Sequence, residues 1–126
     1  MHPKILIIGV GSIGERHLRC FQNTGRCEII FCEVNDELRE SIAERYQIEH
    51  CFSDFATAVA AGPDAAVICT PADLHIPLAR ELASAGIHLL IEKPLSTNTE
   101  GIDGLCELAE LNSLTVGVAF VTRCHP

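Results

Sequence analysis

Three glycines near the amino terminus are spaced for binding phosphate groups. Gly9, Gly11 and Gly14 form the pattern G-x-G-x-x-G directly after the apolar run Lys4–Ile8. In such a pattern Gly9 permits a tight turn, Gly11 lets the backbone approach a pyrophosphate, and Gly14 lets the following helix lie close to the strand. A helix that begins at Ser12 would point its free N–H groups and its positive dipole end at the phosphates. The residues therefore predict a cradle for a dinucleotide.

An acidic residue follows at the distance that a dinucleotide site requires. Glu33 closes the apolar run 28–33, 19 positions after Gly14. A carboxylate there can accept hydrogen bonds from both ribose hydroxyls of an adenosine, and it would repel a 2′-phosphate. No arginine follows immediately, because Arg39 lies on the next predicted helix. We therefore expect NAD as the preferred cofactor, with NADP as the second possibility; a solvated charge at a strand end is the alternative reading of Glu33.

Apolar runs and helical patterns alternate along the chain, which is typical of a parallel sheet covered by helices on both faces. We predict an α/β Rossmann fold: a doubly wound, three-layer αβα domain over residues 1–126 with about six strands. The predicted strands are 4–8, 28–33, 48–52, 65–69, 87–91 and 115–121, and the predicted helices are 12–24, 36–46, 54–62, 75–86 and 97–112. The first helix would turn Ile13, Leu18 and Phe21 inward, and Thr97-Asn98-Thr99-Glu100 predicts a capping box that opens the last helix.

The carboxyl ends of these strands bring further polar groups to one edge of the sheet. Ligands of such sheets bind outside the carboxyl ends, where the strand order reverses. The segments that reach this edge, besides the glycines and Glu33, are Thr70-Pro71, Glu92-Lys93-Pro94 and Arg123.

Composition narrows the class of partner. With 126 residues, 48% hydrophobic and 21% charged, the chain can bury a core of its own. A formal charge of −8 argues against a nucleic-acid or anionic-membrane partner, and no apolar run reaches membrane-spanning length. The seven cysteines form no C-x-x-C pair. We expect most of them to be buried and reduced, which favours a cytoplasmic location and no metal site.

Three longer segments resemble the Gfo/Idh/MocA oxidoreductases, in the N-terminal domain of that family. They are G-V-G-S-I-G-E-R-H, T-P-A-D-L-H-I-P-L-A followed by A-G-I-H-L-L-I-E-K-P-L, and G-V-A-F-V-T-R-C-H-P. They occur in the family's order and span nearly the whole chain, and E-K-P is the most specific. The resemblance implies an NAD(P)-dependent dehydrogenase or reductase that acts on a carbohydrate-like small molecule.

The resemblance also assigns roles to individual residues. Ser12 and Ile13 would contact the pyrophosphate at the helix start. Thr70, Pro71 and His75 would line the nicotinamide side, and Glu92 would border it. Lys93 would be the catalytic lysine near the substrate hydroxyl, and the family's bond between residues 93 and 94 is often cis.

Lysine chemistry suits that role. An ammonium partly desolvated near the positive nicotinamide ring has its charged form disfavoured, so it can exchange a proton with a substrate oxygen. The alternatives for Lys93 are a surface lysine or a lysine paired with Glu92. For His75 a helix-capping or exposed imidazole is equally possible, and His17 is expected only on the surface or in the packing of the first helix. Arg123 is expected either in the active cleft or in a solvated chain end, which is also the alternative for His125.

Length is the main departure from the family pattern. Full members continue into a second α/β domain that supplies substrate specificity, much of the homo-oligomer interface and usually an Asp-x-x-x-His pair. We therefore expect this chain to be the cofactor half of an oxidoreductase that is inactive alone. The alternatives are a stand-alone NAD(H)-binding regulatory module and an interaction domain without cofactor.

Overall fold

A computed structural model describes residues 2–119, and in it six parallel strands form one sheet in the order β3-β2-β1-β4-β5-β6. The strands are β1 (Lys4–Ile8), β2 (Glu28–Cys32), β3 (Cys51–Phe52), β4 (Ala65–Ile68), β5 (His88–Glu92) and β6 (Val116–Ala119). The helices are α1 (Ser12–Thr24), α2 (Asp36–Tyr46), α3 (Phe55–Ala60), α4 (His75–Ser84) and α5 (Ile102–Leu111), with a short 3₁₀ turn at Ala72–Leu74 before α4. The predicted Rossmann fold is confirmed.

The strand order reverses between β1 and β4, which are hydrogen-bonded neighbours with Ile5 opposite Ala65. From β1 the chain proceeds outward through β2 and β3, and from β4 it proceeds the other way through β5 and β6. The crevice at the carboxyl ends of β1 and β4 is therefore the place where a fold of this kind binds its ligand.

Two apolar layers cover the sheet, because successive side chains of each strand point to opposite faces. Ile5 and Ile7 of β1 join a cluster with α1 and α2, whereas Leu6 and Ile8 join a cluster with α3, α4 and α5. β4 lies between β1 and β5 and is buried on both faces, as its uniformly apolar sequence predicts.

Local end signals place α1 and α2 as predicted. Gly25 ends α1 in the left-handed conformation, with φ 64°. The side chain of Asn35 caps α2 by accepting a hydrogen bond from the Leu38 N–H. α1 begins within the glycine segment, and α2 begins three residues after Glu33. The bounds of these two helices therefore fix where the glycine segment and Glu33 lie.

The predicted start of the last helix is wrong. α5 begins after Gly101, whose φ is +81°, rather than at the capping box of residues 97–100. The Asn98 side chain instead accepts a hydrogen bond from the Glu100 N–H within a turn. An Asx turn of this kind competes with helix for the same backbone groups, so the polar run forms a loop.

Three other expectations differ from the structure. Ile13 is 44% exposed and does not join the core, although Leu18 on the same helix is fully buried. β3 is only two residues long. Among the cysteines of residues 2–119 only Cys32 is buried, so the expectation that most are buried is wrong.

Within residues 2–119 no helix is both long and apolar enough to cross a bilayer.

Candidate functional site

The glycine turn has the geometry that its sequence predicts at two of the three glycines. Gly9 has φ +86°, a conformation that side chains rarely adopt, and a Cβ there would lie 3.0 Å from the Cys69 carbonyl oxygen. A Cβ on Gly14 would lie 1.8 Å from the Gly9 carbonyl oxygen. The turn and α1 can therefore pack this closely only with glycine at both positions.

Gly11 differs because nothing lies within 4 Å of the position its Cβ would take. It is the N-cap of α1 and supplies no side-chain hydrogen bond, while its carbonyl accepts the Glu15 N–H. The N–H groups of the first turn, at Ser12, Ile13 and Gly14, are therefore left to an outside acceptor. Open space in front of uncapped N–H groups fits a pyrophosphate.

Glu33 is fixed beside this turn by backbone hydrogen bonds. Its Oε1 accepts the Val10 N–H and its Oε2 accepts the Asn35 N–H, each at 3.0 Å. Its own N–H donates to the Phe52 carbonyl across to β3. A carboxylate offers about four acceptor sites, so two remain for the hydroxyls of a ribose. Both carboxylate oxygens are engaged by backbone N–H groups, so the orientation of this strand-end charge is fixed.

Arg39 is also engaged, which bears on the choice of cofactor. Its guanidinium donates to the Glu33 carbonyl oxygen at 2.8 Å and to the Asp36 carboxylate at 2.7 Å. The hydrogen bond to Asp36 is the main reason that the pKa of Arg39 is raised. These two contacts hold the guanidinium against the backbone after Glu33 and beside the Asp36 carboxylate, which partly neutralises its charge.

A cleft of about 410 Å³ opens at the carboxyl edge between these groups, and its walls are largely apolar. Gly9, Gly11 and Glu33 lie on one side, and Thr70 and Pro71 lie on the other. Its other lining residues are Ile8, Cys32, Val34, Leu38, Phe55, Cys69, Leu74 and Leu78. The site thus combines apolar walls with a few convergent polar groups, as cofactor clefts do.

The two thiols in the cleft wall are unsuited to nucleophilic chemistry. Partial burial, with the charge of Glu92 as a lesser cause, raises the pKa of Cys69 to about 12. Burial, together with the charges of Asp54 and Glu33, raises the pKa of Cys32 to about 11. Both thiols are therefore protonated at neutral pH and contribute packing rather than a thiolate.

A second acidic residue, Glu15 in the first turn of α1, forms an ion pair with Arg45 of α2. Its Oε2 accepts hydrogen bonds from the Tyr46 hydroxyl at 2.7 Å and from Arg45 at 2.5 Å. The Tyr46 bond, followed by the Arg45 bond, holds the pKa of Glu15 below its ordinary value. The negative charge nearest the start of α1 therefore has a cationic partner on the neighbouring helix.

Lys93 lies at the far end of the same edge, directly after β5, and is exposed. The bond between Lys93 and Pro94 is cis, as the family resemblance implies. Within residues 2–119 Lys93 forms no ion pair with Glu92, and Oε2 of Glu92 instead pairs with His17. The partial desolvation expected for this lysine is not supplied by the described part of the chain.

His17 and His75 have roles that the sequence did not reveal. His17 Nε2 lies 2.8 Å from Glu92 Oε2, and only 12% of the Glu92 side chain is exposed. His75 is 1% exposed, so the alternative of an exposed imidazole is wrong. The ring also lies behind the cleft wall rather than among the lining residues, where the resemblance placed it. Its two ring nitrogens lie 2.8 Å from the carbonyl oxygens of Thr70 and Pro94. A ring buried in this way supports the cleft from behind.

The sequence offered no local signal for either histidine contact, because the partners are 75 and 19 positions apart. Arg123 and His125, the other polar candidates, lie outside the described residues. Within the described range no group of three or more His, Cys, Asp or Glu side chains is arranged to hold a metal ion.

Comparison with known proteins identifies relatives over nearly the whole chain. A family model described as an oxidoreductase family with an NAD-binding Rossmann fold matches residues 3–120. UDP-N-acetylglucosamine 3-dehydrogenase of Acidithiobacillus ferrooxidans is 32% identical over 127 aligned positions, which cover 100% of this chain and 39% of that enzyme. Inositol 2-dehydrogenase of Rhizobium meliloti is 29% identical over 121 positions, which cover 95% of this chain and 36% of that enzyme.

Two solved structures that share this fold are also dehydrogenases. The WlbA dehydrogenase of Bordetella pertussis, crystallised with NADH and UDP-GlcNAcA, superposes with a TM-score of 0.89 at 26% identity, covering 99% of this chain and 39% of its own. The apo scyllo-inositol dehydrogenase of Lactobacillus casei shares the fold, with a TM-score of 0.90 at 23% identity over 98% of this chain and 38% of its own. The chain therefore spans about two fifths of the length of the proteins it matches.

Proposed function

Since the chain belongs to the Gfo/Idh/MocA oxidoreductase family and contains its NAD-binding domain, we propose that it is the cofactor half of a dehydrogenase acting on a hydroxyl or carbonyl carbon of a sugar-like substrate. The observation that carries the proposal is the cleft that joins the open space at Gly11 to the fixed carboxylate of Glu33. A dinucleotide would supply the hydride acceptor or donor.

The residues present fit that cofactor. A Cβ at Gly11 would enter the space in front of the α1 N-terminus, where the pyrophosphate would bind. Glu33 would accept hydrogen bonds from the adenosine ribose hydroxyls, and the exposed Val34 side chain beside it would contact the adenine. Thr70 and Pro71, with His75 supporting them from behind, would flank the nicotinamide half.

NAD is the expected form of the cofactor because of two charges. The Glu33 carboxylate would lie next to a 2′-phosphate and repel it, and Arg39 is already held by Asp36 and the Glu33 carbonyl. The phosphates of the cofactor would therefore be bound at the pyrophosphate, by the backbone N–H groups at the start of α1.

Lys93 would perform the proton transfer that accompanies hydride transfer. It lies at the carboxyl end of β5 on the nicotinamide side of the reversal point, and its amine is exposed in residues 2–119. A neutral amine there would remove the proton from a substrate hydroxyl as the carbon loses hydride, and an ammonium would return it in the reverse direction. A second domain packed over Lys93 would supply the desolvation that favours the neutral amine.

Substrate class follows from the relatives rather than from this chain. The names of two relatives refer to a UDP-linked amino sugar and to an inositol. We expect a polyhydroxylated substrate of that kind, and we expect homo-oligomers in the protein that contains this domain. The relatives' dehydrogenase names favour an enzyme over a regulatory module or an interaction domain without cofactor.

Calorimetric titration of the 126-residue chain with NADH and then with NADPH tests the proposal. We expect saturable binding of NADH and weaker binding of NADPH. Tighter binding of NADPH would contradict the role of Glu33, and no binding of either would favour the interaction domain. Binding of NADH without transfer to any acceptor, after a substrate domain has been joined to the chain, would favour the regulatory module.

A further inference from the structure

The residues on either side of Lys93 are each held by a histidine. Glu92 precedes Lys93 and pairs through its side chain with His17 at 2.8 Å. Pro94 follows Lys93, and its carbonyl oxygen lies 2.8 Å from Nδ1 of His75. Lys93 itself has no hydrogen bond or ion pair within residues 2–119, so its backbone position depends on these neighbours.

The two histidines approach from opposite faces of the sheet. Leu90 packs with the apolar cluster of α1 and α2, and Glu92, two residues later on β5, points to the same face. His17 reaches it from α1. His75 begins α4, whose Ile76 and Ala79 belong to the cluster on the other face. The segment that contains Lys93 is thus held between two helical layers.

Each histidine also connects this segment to a part of the proposed cofactor site. His17 lies three residues after Gly14, on the helix whose N-terminus faces the pyrophosphate position. The second ring nitrogen of His75 lies 2.8 Å from the carbonyl oxygen of Thr70, which lines the cleft. Because carbonyl oxygens only accept, a neutral His75 ring donates to one of Thr70 and Pro94, and only the imidazolium form donates to both.

The groups that form these contacts are largely shielded from solvent, unlike those of an ion pair on the surface. His75 is 1% exposed, and the side chains of His17 and Glu92 are 23% and 12% exposed. Removing one partner would leave a largely buried polar group without its hydrogen bond, which costs more than an exposed pair contributes. Both contacts are therefore able to hold a backbone segment in place.

From this arrangement we infer that His17 and His75 are positioning residues that fix Lys93 relative to the nicotinamide end of the cofactor. The inference rests on the proposed function, because it assigns the two histidines an effect on Lys93 rather than a contact with substrate. It predicts that either histidine can be removed without loss of the adenosine end of the site, whose contacts at Glu33 involve neither.

The two lysines of the chain, Lys4 and Lys93, permit a direct test. Lysine labelled with ¹³C at Cε gives two side-chain signals, and Lys93→Ala assigns them. Lys4 serves as the internal reference, because its Nζ donates to the Ala61 carbonyl oxygen near the amino ends of the strands. The labelled chain is titrated with NADH and, separately, with ADP, which lacks the nicotinamide and its ribose.

In the unmodified chain we expect NADH to shift the Lys93 signal and ADP to leave it in place. In His17→Ala and His75→Ala the shift with NADH is expected to be lost, while NADH affinity is expected to change little, as in Lys93→Ala. ADP affinity is expected to stay within about twofold, which also verifies that the variant is folded. His17→Gln, whose amide can donate to Glu92, should restore the response, and His50→Ala, at an exposed position before β3, is the matched control.

The outcomes separate the two proposals. An unmodified chain that binds NADH without any response of Lys93 would contradict the proposed role of Lys93 and, with it, this inference. A Lys93 response that persists in both histidine variants would overturn the positioning role alone. Equal losses of NADH and ADP affinity in His17→Ala would also overturn it, because they would indicate a general structural effect; His17→Ala decides the matter if His75→Ala does not fold.

Discussion

The two ends of the carboxyl edge are built differently. At the adenosine end the glycine turn, Glu33 and Arg39 are fixed by a dense set of hydrogen bonds to the backbone. At the other end Lys93 is exposed, and only its neighbours in sequence are held. The first end is held by contacts among residues 2–119, whereas the side chain at the second end is open to solvent.

This difference separates binding from chemistry. Groups that must recognise one cofactor can be arranged in advance by the fold, because the cofactor is the same in every turnover. A proton-transferring group has to meet a substrate and lose water around it, so part of its environment has to come from elsewhere. Variants at the two ends should therefore fail in different ways.

The largest effect is expected for Lys93→Ala at the chemistry end. In a polypeptide that joins this chain to a substrate domain of the family, turnover should fall about 10²- to 10⁴-fold, the usual contribution of a general acid or base. NADH affinity should change little, because the adenosine contacts are untouched. Steady-state kinetics and a binding titration measure the two quantities, and unchanged turnover would remove Lys93 from the mechanism.

At the binding end, Gly14→Ala and Gly11→Ala form a matched pair. The Cβ of Gly14→Ala would meet the Gly9 carbonyl oxygen at 1.8 Å, so the turn has to move and the free energy of unfolding should fall by about 3 kcal/mol or more. The Cβ of Gly11→Ala meets nothing within 4 Å, so the fold should persist while NADH binding is lost. Thermal unfolding and titration separate these outcomes, and NADH binding retained in Gly11→Ala would contradict the pyrophosphate site.

Glu33→Ala should weaken NADH binding about 10- to 100-fold, since hydrogen bonds to a charged group contribute about 1.5–3 kcal/mol. NADPH binding should weaken less, because the repulsion of its 2′-phosphate disappears as well. Glu37→Ala, which removes the same charge from the exposed first turn of α2, is the control. A ratio of NADH to NADPH affinity that is unchanged in Glu33→Ala would contradict the assignment.

The smallest effect concerns Glu15 and depends on pH. Because the folded state holds the pKa of Glu15 below its ordinary value of 4.5, the ionised carboxylate stabilises the fold fully above about pH 5 and loses this contribution as the pH falls through the folded pKa. Glu15→Gln should therefore lower the Tm by no more than about 3 °C at pH 7. The difference from the unmodified chain should shrink as the pH falls through the folded pKa of Glu15; a difference that grows in acid would show that the stabilising form is the protonated one.

Local signals account for what the sequence predicted well. Asn35 caps α2 and Gly25 ends α1, and each acts through contacts within four residues. Glu33 was found because its distance from Gly14 is set by one helix and one strand of ordinary length. The binding end is thus encoded in about thirty consecutive residues.

Features that depend on distant partners were missed. Nothing near His17 indicates that Glu92, 75 positions later, contacts it on the same face of the sheet. The capping-box pattern at residues 97–100 is a local signal for a helix start. In the structure, however, the Asn98 side chain accepts the Glu100 N–H in an Asx turn, and the positive φ of Gly101 keeps this segment a loop. Ile13 follows the inward spacing of its helix, yet it lies at the end where the site opens.

The pairing of β1 with β4 also has a consequence during synthesis of the chain. Ile5 can pair with Ala65 of β4 only after 60 further residues have been synthesised. At about 5–20 residues per second, translation takes roughly 3–12 s to cover that distance. Through that interval the apolar strand Ile5–Ile8 has at most β2 as a hydrogen-bonded neighbour, so its other edge stays unpaired until β4 is synthesised.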